Sequence, residues 1–277
     1  MQGKTVVITG ATSGIGEVAA VDLATQGARI VFVARDAAKA TKLMERLTVL
    51  GPAVAHDWVQ ADLTSLAAMK AAGEALAAKA PLIDVLINNA GVIHARREVT
   101  VDGLEKTFAV NHMAYFMITE RLRGQLNPAG GRIVSTSSTA HNWAKLDFTD
   151  LQATKRYSTM GAYGLSKLCN ILWTRELARR LAGTGVTANC LHPGGVATNF
   201  GHNNRLIKIV TTLGKRFMLT PTQGADTLIW LASSPDVTGK TGGYWSKRNL
   251  TEPSATAQDD AAAVKLWDES VRIAAGA

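Results

Sequence analysis

The fold of this chain is decided near its start by one stretch, which reads Thr5-Val6-Val7-Ile8-Thr9-Gly10-Ala11-Thr12-Ser13-Gly14-Ile15-Gly16. Its first half is a continuous apolar and β-branched run, which is typical of a strand buried in a parallel sheet. Glycines then allow a tight turn, and an apolar pattern through residues 18–23 predicts a helix. A strand, a glycine turn and a helix in this order indicate a dinucleotide site, because the N–H groups at a helix N-terminus attract a pyrophosphate.

The remainder of the chain repeats this alternation of strands and helices. Further strands are predicted at 28–35, 54–60, 82–87, 132–136, 185–191 and 242–245, and helices at 36–47, 64–79, 103–122, up to about 181 and at 225–231. The pattern predicts an α/β fold, a single doubly wound Rossmann-type domain over 1–277 with about seven parallel strands and helices on both faces.

Composition excludes several classes of protein. The chain has 277 residues, 47% hydrophobic and 19% charged, with a net charge of +8, which is typical of a globular domain. No basic run is interleaved with aromatic residues, so no nucleic-acid site is predicted. Cys169 and Cys190 lie in apolar stretches without a Cys-x-x-Cys pair, which predicts core thiols in a reducing compartment. With no apolar run near the length of a membrane span, we expect a cytoplasmic protein without a transmembrane segment or metal site.

The glycine spacing, Thr9-Gly10-x-x-x-Gly14-x-Gly16, resembles the cofactor turn of the short-chain dehydrogenase/reductase family. Other motifs of that family follow in the same order, namely Asn88-Asn89-Ala90-Gly91, Arg132-Ile133-Val134-x-x-Ser137-Ser138, Tyr163-x-x-x-Lys167 and His192-Pro193-Gly194. The long gap between Ser138 and Tyr163 and the run Lys265-Leu266-Trp267-Asp268 look like the retinol-dehydrogenase-like branch. The resemblance covers nearly the whole chain.

Tyr163 and Lys167 are four residues apart, so they share one face of a helix. A free tyrosine titrates near ~10, and a neighbouring cation lowers that pKa. We therefore expect Lys167, together with a bound cationic ring, to lower the pKa of Tyr163. The resemblance implies that Tyr163 is the general acid, that Ser138 hydrogen-bonds the carbonyl oxygen, that Lys167 holds the ribose and that Asn111 anchors a water. His112 is interpreted as a packed or surface residue, and His141 as structural or at the pocket edge, with a proton-transfer role as the alternative.

The resemblance also implies a set of cofactor contacts. They are Gly10, Thr12, Ser13, Gly14, Ile15, Gly16, Arg35, Asp62, Leu63, Asn89, Ala90, Gly91, Tyr163, Lys167, Pro193, Gly194, Val196 and Thr198. Asp62 has an alternative role as a helix-entry residue. The second strand ends in Ala34-Arg35, where an enzyme that prefers NAD carries an acid, and the Arg35 fork suits a 2′-phosphate. The cofactor is therefore predicted to be NADP(H).

Residues 199–219 mix apolar and basic residues after the nicotinamide loop, and are interpreted as a substrate lid. An ordinary packed helix and a membrane-surface helix remain alternatives for this segment. With Trp143 and Phe200, the lid predicts a hydrophobic or aromatic substrate. The predicted function is NADP-dependent interconversion of a hydrophobic alcohol and its carbonyl. Alternatives are a reductase of an activated C=C bond and a non-catalytic NADP-sensing regulator. The resemblance implies a homodimer or homotetramer, paired through the helix that carries Tyr163.

Overall fold

Strands and helices alternate along residues 1–195 and 219–276, which this computed structural model describes. The strands are β1 (Thr5–Thr9), β2 (Arg29–Ala34), β3 (Asp57–Gln60), β4 (Val85–Asn88), β5 (Arg132–Thr136), β6 (Thr187–His192), β7 (Tyr244–Ser246) and β8 (Asn249–Leu250). The helices are α1 (Gly14–Thr25), α2 (Ala37–Leu50), α3 (Leu66–Lys79), α4 (Lys106–Phe108), α5 (Ala114–Leu122), α6 (Thr159–Arg180), α7 (Pro221–Ser233) and α8 (Asp260–Ala274). The predicted lid, apart from Leu219, lies outside the described residues.

The described strands form one sheet in the order β3-β2-β1-β4-β5-β6-β7-β8. β1 to β7 are parallel, as predicted, and β8 adds a short antiparallel strand that pairs Leu250 with Trp245. The chain turns back at Lys247 and Arg248, both with positive φ. β1 pairs with β2 on one side and β4 on the other. Chain order therefore reverses between β1 and β4, and the crevice at their carboxyl ends is where open parallel sheets bind ligands.

Two apolar cores lie on opposite faces of the sheet. Successive residues of a strand point to opposite faces, so Val7 enters one core and Ile8 the other. The first core packs the sheet against α3, α5, α6 and α8, and the second packs it against α1, α2 and α7. Cys169 and Cys190 are unpaired and buried in the first core, which confirms their prediction as core thiols. Helices on both faces confirm the doubly wound class.

Helix α6 is buried along almost its whole length. The C-terminal helix α8 packs against it, and the Arg180 guanidinium lies 4.3 Å from the centroid of the Trp267 ring. Asp260 forms an ion pair of 2.6 Å with Arg179 and thereby ties the start of α8 to the end of α6. Helix α6, through which the resemblance implies pairing of two chains, is therefore packed against α8 of the same chain.

Several elements differ in their bounds from the prediction, and for two of them the local structure can be described. β3 begins at Asp57 rather than at 54, because Val54 donates to the Gly51 carbonyl at 2.9 Å and closes a turn. The helix expected over 103–122 begins at Lys106 and is interrupted by a π-helical turn over Ala109–Met113. Such turns occur often at functional sites. Among the residues described, no helix combines the length and apolarity needed to cross a bilayer.

Candidate active site

The glycine turn after β1 packs backbone against backbone. A Cβ added to Gly10 would lie 2.7 Å from the Cα of Ala90, and one added to Gly16 would lie 2.2 Å from the Gly10 carbonyl oxygen. Gly10 also has a φ of +72°, a conformation that L side chains rarely adopt. Only glycine at these positions lets α1 begin directly beside the ends of β1 and β4.

Asn89 links the ends of three neighbouring strands by hydrogen bonds. Its backbone N–H donates to the Thr9 hydroxyl at 3.0 Å, and its Nδ2 donates to the Gly10 carbonyl at 3.1 Å. Its Oδ1 accepts from the Thr136 hydroxyl at 3.2 Å, and Ala90 N also donates to the Thr9 hydroxyl, at 3.2 Å. The Asn89 amide therefore holds the crevice in shape through β1, β4 and β5. Sequence reasoning did not single out Thr9 or Thr136.

The start of α1 and the end of β2 offer donors suited to phosphate. Ser13 is the exposed N-cap residue of α1, and its hydroxyl makes no capping hydrogen bond, so the first-turn N–H groups lack that partner. Arg35 is exposed, and its guanidinium pairs with no carboxylate in the described part of the chain. Asp36, the next residue in the chain, caps α2 by accepting from Lys39 N at 3.1 Å. This donor set fits the phosphates of a nicotinamide dinucleotide.

The other predicted cofactor residues surround the same crevice or lie near it. Asp62 is exposed and accepts from Thr64 N at 3.2 Å, which favours its alternative role at the entry to α3, while Leu63 lies in the core. Gly194 follows β6 with a φ of +89°, and a Cβ there would lie 2.4 Å from Leu219 Cδ1. Thr12, Gly91 and Pro193 are partly exposed in the loops at this edge, and Ile15 is partly exposed in the first turn of α1. Val196 and Thr198 lie outside the described residues.

Ser138, Tyr163 and Lys167 meet where β5 ends against α6. The Ser138 hydroxyl shares a hydrogen bond with Tyr163, whereas the adjacent Ser137 hydroxyl donates to the Lys167 carbonyl at 2.8 Å. Lys167 Nζ donates to the Thr136 carbonyl at 3.0 Å and lies 5.7 Å from the centroid of the Tyr163 ring. The structure thus shows different hydrogen-bond partners for Ser137 and Ser138, which the sequence around them did not distinguish.

Burial controls the protonation of this pair. It raises the pKa of Tyr163 to about 12, against a smaller lowering by the Ser138 hydrogen bond. It also lowers the pKa of Lys167 to about 7, because an ammonium group is costly to remove from water. Without the cationic ring the pKa of Tyr163 therefore stays high beside Lys167, and its lowering by Lys167 together with a bound cationic ring stays a prediction. A half-neutral lysine gives less electrostatic help than a permanent cation, and desolvation of the phenolate dominates.

Asn111 sits on the π-helical turn and is completely buried. Its Oδ1 accepts from Val92 N at 2.8 Å, and its Nδ2 donates to the Val92 carbonyl and to the Ser166 hydroxyl, both at 3.0 Å. Asn170 Nδ2 donates to the Asn111 carbonyl at 2.9 Å and to the Thr136 carbonyl at 3.2 Å. The Asn111 backbone and Lys167 are therefore linked through the Asn170 amide and the Thr136 carbonyl. Sequence reasoning missed Asn170, although it lies one helical turn after Lys167.

Comparison with known proteins agrees with this arrangement. Residues 4–207 match the family model described as short chain dehydrogenase. Mouse retinol dehydrogenase 14 is 42% identical over 98% of this chain and 85% of its own length. DnrU of Streptomyces sp. (strain C5), a candidate daunorubicin C-13 ketoreductase, is 41% identical over 98% of this chain and 92% of its own. A short chain dehydrogenase from Burkholderia cenocepacia J2315, solved in complex with NADP, is 25% identical, with a TM-score of 0.71 over 92% of this chain and 98% of that one.

These matches span the glycine turn, the serine strand and the Tyr163–Lys167 helix together. The relatives are named for oxidation or reduction at an alcohol or carbonyl carbon, and the solved relative holds a nicotinamide cofactor. The phosphate-binding donors described above fit that cofactor. This chain belongs to the short-chain dehydrogenase/reductase family, in its retinol-dehydrogenase-like branch, and is an oxidoreductase that acts on CH–OH groups.

Proposed function

We propose that this protein uses NADP(H) to interconvert a hydrophobic or aromatic alcohol and its aldehyde or ketone. The observation that carries the proposal is the meeting of Ser138, Tyr163 and Lys167 at the end of β5. They lie at the carboxyl edge of the sheet, along which the donors of α1 and β2 also lie. A substrate carbonyl placed there would reach both a hydroxyl donor and a cofactor bound along the crevice.

The side chains divide the acid–base work. When bound, the nicotinamide ring supplies or accepts the hydride. Tyr163 donates a proton to the carbonyl oxygen in reduction, and a pKa of about 12 keeps its phenol protonated at neutral pH. The Ser138 oxygen accepts from Ala140 N at 3.2 Å, and the hydroxyl that pairs with Tyr163 would bind the same substrate oxygen when a carbonyl lies beside both groups. Lys167 holds the ribose and places a partial positive charge near the phenol.

Selectivity for NADP(H) is proposed from the end of β2. Arg35 offers a planar set of donors, and Asp36 is engaged in capping α2. Ala34, at the end of β2, has no carboxylate to accept from a ribose 2′-hydroxyl, whereas Arg35 can donate to a 2′-phosphate. The remaining proposed contacts are those of the glycine turn, the Asn89–Gly91 loop and the segment after β6.

An apolar substrate is supported by exposed apolar residues on the two elements that begin at or carry the reacting residues. Trp143 ends the short turn that Ser138 begins and is 73% exposed, and Met160, one turn before Tyr163, is 48% exposed. Exposed apolar side chains on elements that hold reacting groups favour an apolar ligand. The relatives named for retinol and for a daunorubicin ketone point in the same direction.

The test is turnover by the wild type and by Tyr163→Phe with NADPH, on bulky apolar carbonyls and on small polar ones. We expect Tyr163→Phe to reduce kcat by at least ~10²-fold, the low end for loss of a general acid, while cofactor still binds. Tyr157→Phe is the matched control, because its hydroxyl binds the His94 carbonyl at 2.7 Å outside the reacting group. Near-normal turnover in Tyr163→Phe, or faster turnover of small polar carbonyls, would contradict the proposal.

Two further readouts distinguish the alternatives. Product analysis on an enone separates carbonyl reduction from C=C reduction, and cofactor binding without any turnover would indicate a regulator. A homodimer or homotetramer remains a prediction, as does a cytoplasmic location. Since α8 covers α6, we propose that any assembly uses another surface, and light scattering on the purified protein measures its mass.

A further inference from the structure

His141 occupies a fixed position behind the reacting serine. It belongs to the short turn Thr139–Trp143, which begins at Ser138, and only 2% of its surface is exposed. Its ring packs edge-on against Tyr244 of β7, with centroids 5.1 Å apart. A Cβ on Gly164 of α6 would lie 2.6 Å from the Ala140 carbonyl oxygen, so the turn is pressed directly onto the helix that carries Tyr163.

The two ring nitrogens of His141 have different partners. Nδ1 lies 2.7 Å from the Ser138 carbonyl oxygen, which can only accept, so Nδ1 must carry the proton. Nε2 lies 3.1 Å from Ser254 N, a backbone donor, so Nε2 must be the acceptor. Together the contacts require a neutral imidazole in one tautomer. Burial also lowers the pKa of His141, which favours that neutral form.

We propose that His141 is a positioning residue for Ser138, acting as a rigid link from the Ser138 carbonyl to the backbone of Ser254. The link fixes the peptide that carries Ser138 and thereby aims its hydroxyl at Tyr163 and the substrate oxygen. A neutral imidazole suits this place because it carries a donor and an acceptor on opposite sides of a flat, rigid ring. This role rests on the proposed function, because it acts through Ser138.

Two substitutions separate the link from simple packing. His141→Phe keeps an aromatic ring against Tyr244 and removes both hydrogen bonds, while His141→Gln keeps a donor and an acceptor on a flexible chain. We expect His141→Phe to lower kcat on the order of 10²-fold, the effect of a small misplacement of a reacting group, with unchanged cofactor affinity. His141→Gln should recover a large part of that loss. Equal losses in both variants would overturn the role.

A double-variant cycle tests whether His141 acts through Ser138. If it does, adding His141→Phe to Ser138→Ala should lower kcat little further, because the hydroxyl that His141 positions is already gone. Additive losses would mean that His141 has a separate structural effect, and would overturn the inference. In that case the proposed function would still stand, since the Tyr163→Phe comparison does not involve His141.

The partner on the other side of the ring can be changed as well. Ser254 has φ −55° and ψ 154°, which proline can adopt, so Ser254→Pro removes the N–H that His141 accepts from. Ser254→Ala keeps that N–H and is its matched control. We expect a lower kcat in Ser254→Pro than in Ser254→Ala.

The tautomer itself is read without turnover, from the ¹⁵N chemical shifts of labelled histidine, with the His141 signals assigned by their loss in His141→Gln. We expect a neutral ring protonated at Nδ1. A ring protonated at Nε2, or equal kcat in the two Ser254 variants, would overturn the proposal.

Discussion

Lys167 should make the stability of this protein depend on pH in a way that one substitution removes. Its side chain is only 3% exposed, and burial lowers its pKa from 10.5 to about 7. Between those values the unfolded chain binds more protons at this lysine than the native chain does. Stability therefore rises with pH in this window, and it is lowest below pH 7, where the native protein must hold a buried ammonium.

The magnitude follows from the width of the window. Each pH unit between the two pKa values is worth ~1.4 kcal/mol, so from pH 6 to pH 9 the native state gains about 3 kcal/mol at Lys167. Lys167→Met keeps a chain of similar length and removes the charge. The free energy of unfolding of Lys167→Met relative to that of the wild type should therefore be about 3 kcal/mol higher at pH 6 than at pH 9.

Urea unfolding followed by circular dichroism at several pH values measures this difference. Lys42→Met is the matched control, because Lys42 is exposed on α2 and the same change there removes no buried charge. The reasoning would be refuted if the curves of unfolding free energy against pH ran parallel for the wild type and Lys167→Met. They would mean that Lys167 keeps its ammonium hydrated or paired in the native protein.

Three other outcomes are expected. Arg35→Ala should reduce the preference for NADPH over NADH in kcat/KM by about ten- to a hundred-fold, since a hydrogen bond to a charged group contributes ~1.5–3 kcal/mol; an unchanged ratio would contradict this. Trp143→Ala should raise KM for a bulky aromatic carbonyl about tenfold, with little effect on a small aldehyde. Burying an aromatic ring stabilises a complex by ~3 kcal/mol, and we expect the variant to lose half of this for the substrate ring. Gly16→Ala should abolish measurable cofactor binding in a fluorescence titration, because its Cβ would lie 2.2 Å from the Gly10 oxygen, whereas Gly124→Ala meets nothing within 4 Å and should bind normally.

The framework of the fold could be predicted because its signals are local. β1 and β5 have the predicted bounds, Thr5–Thr9 and Arg132–Thr136, since a continuous apolar run between turn residues has one interpretation in a parallel sheet. The interruption of the helix at Asn111 could not be predicted in this way. It accompanies hydrogen bonds from that side chain to Val92 and Ser166, which are distant in sequence. A helical pattern of apolar residues is the same with or without such a turn.

The members of the site could be identified from motif order, but their surroundings could not. The four-residue spacing of Tyr163 and Lys167 places them on one face of a helix, and the structure brings them together. The spacing does not say how much water reaches them. That depends on Tyr115, whose ring lies 5.6 Å from Lys167 Nζ, and on the turn that presses against Gly164. Both come from other parts of the chain.

Burial then reverses the simplest electrostatic expectation. In water a lysine beside a tyrosine would lower the pKa of the phenol, because both charged forms are well solvated. In this crevice the same low-polarity surroundings disfavour the phenolate and the ammonium, so the pKa of Tyr163 rises while that of Lys167 falls. The two shifts converge on a neutral pair, with the proton kept on the phenol. In the proposed reduction, a phenol that keeps its proton at neutral pH has one to give to a developing alkoxide, and a cation that lowers its pKa toward neutrality would make it a stronger acid for that step.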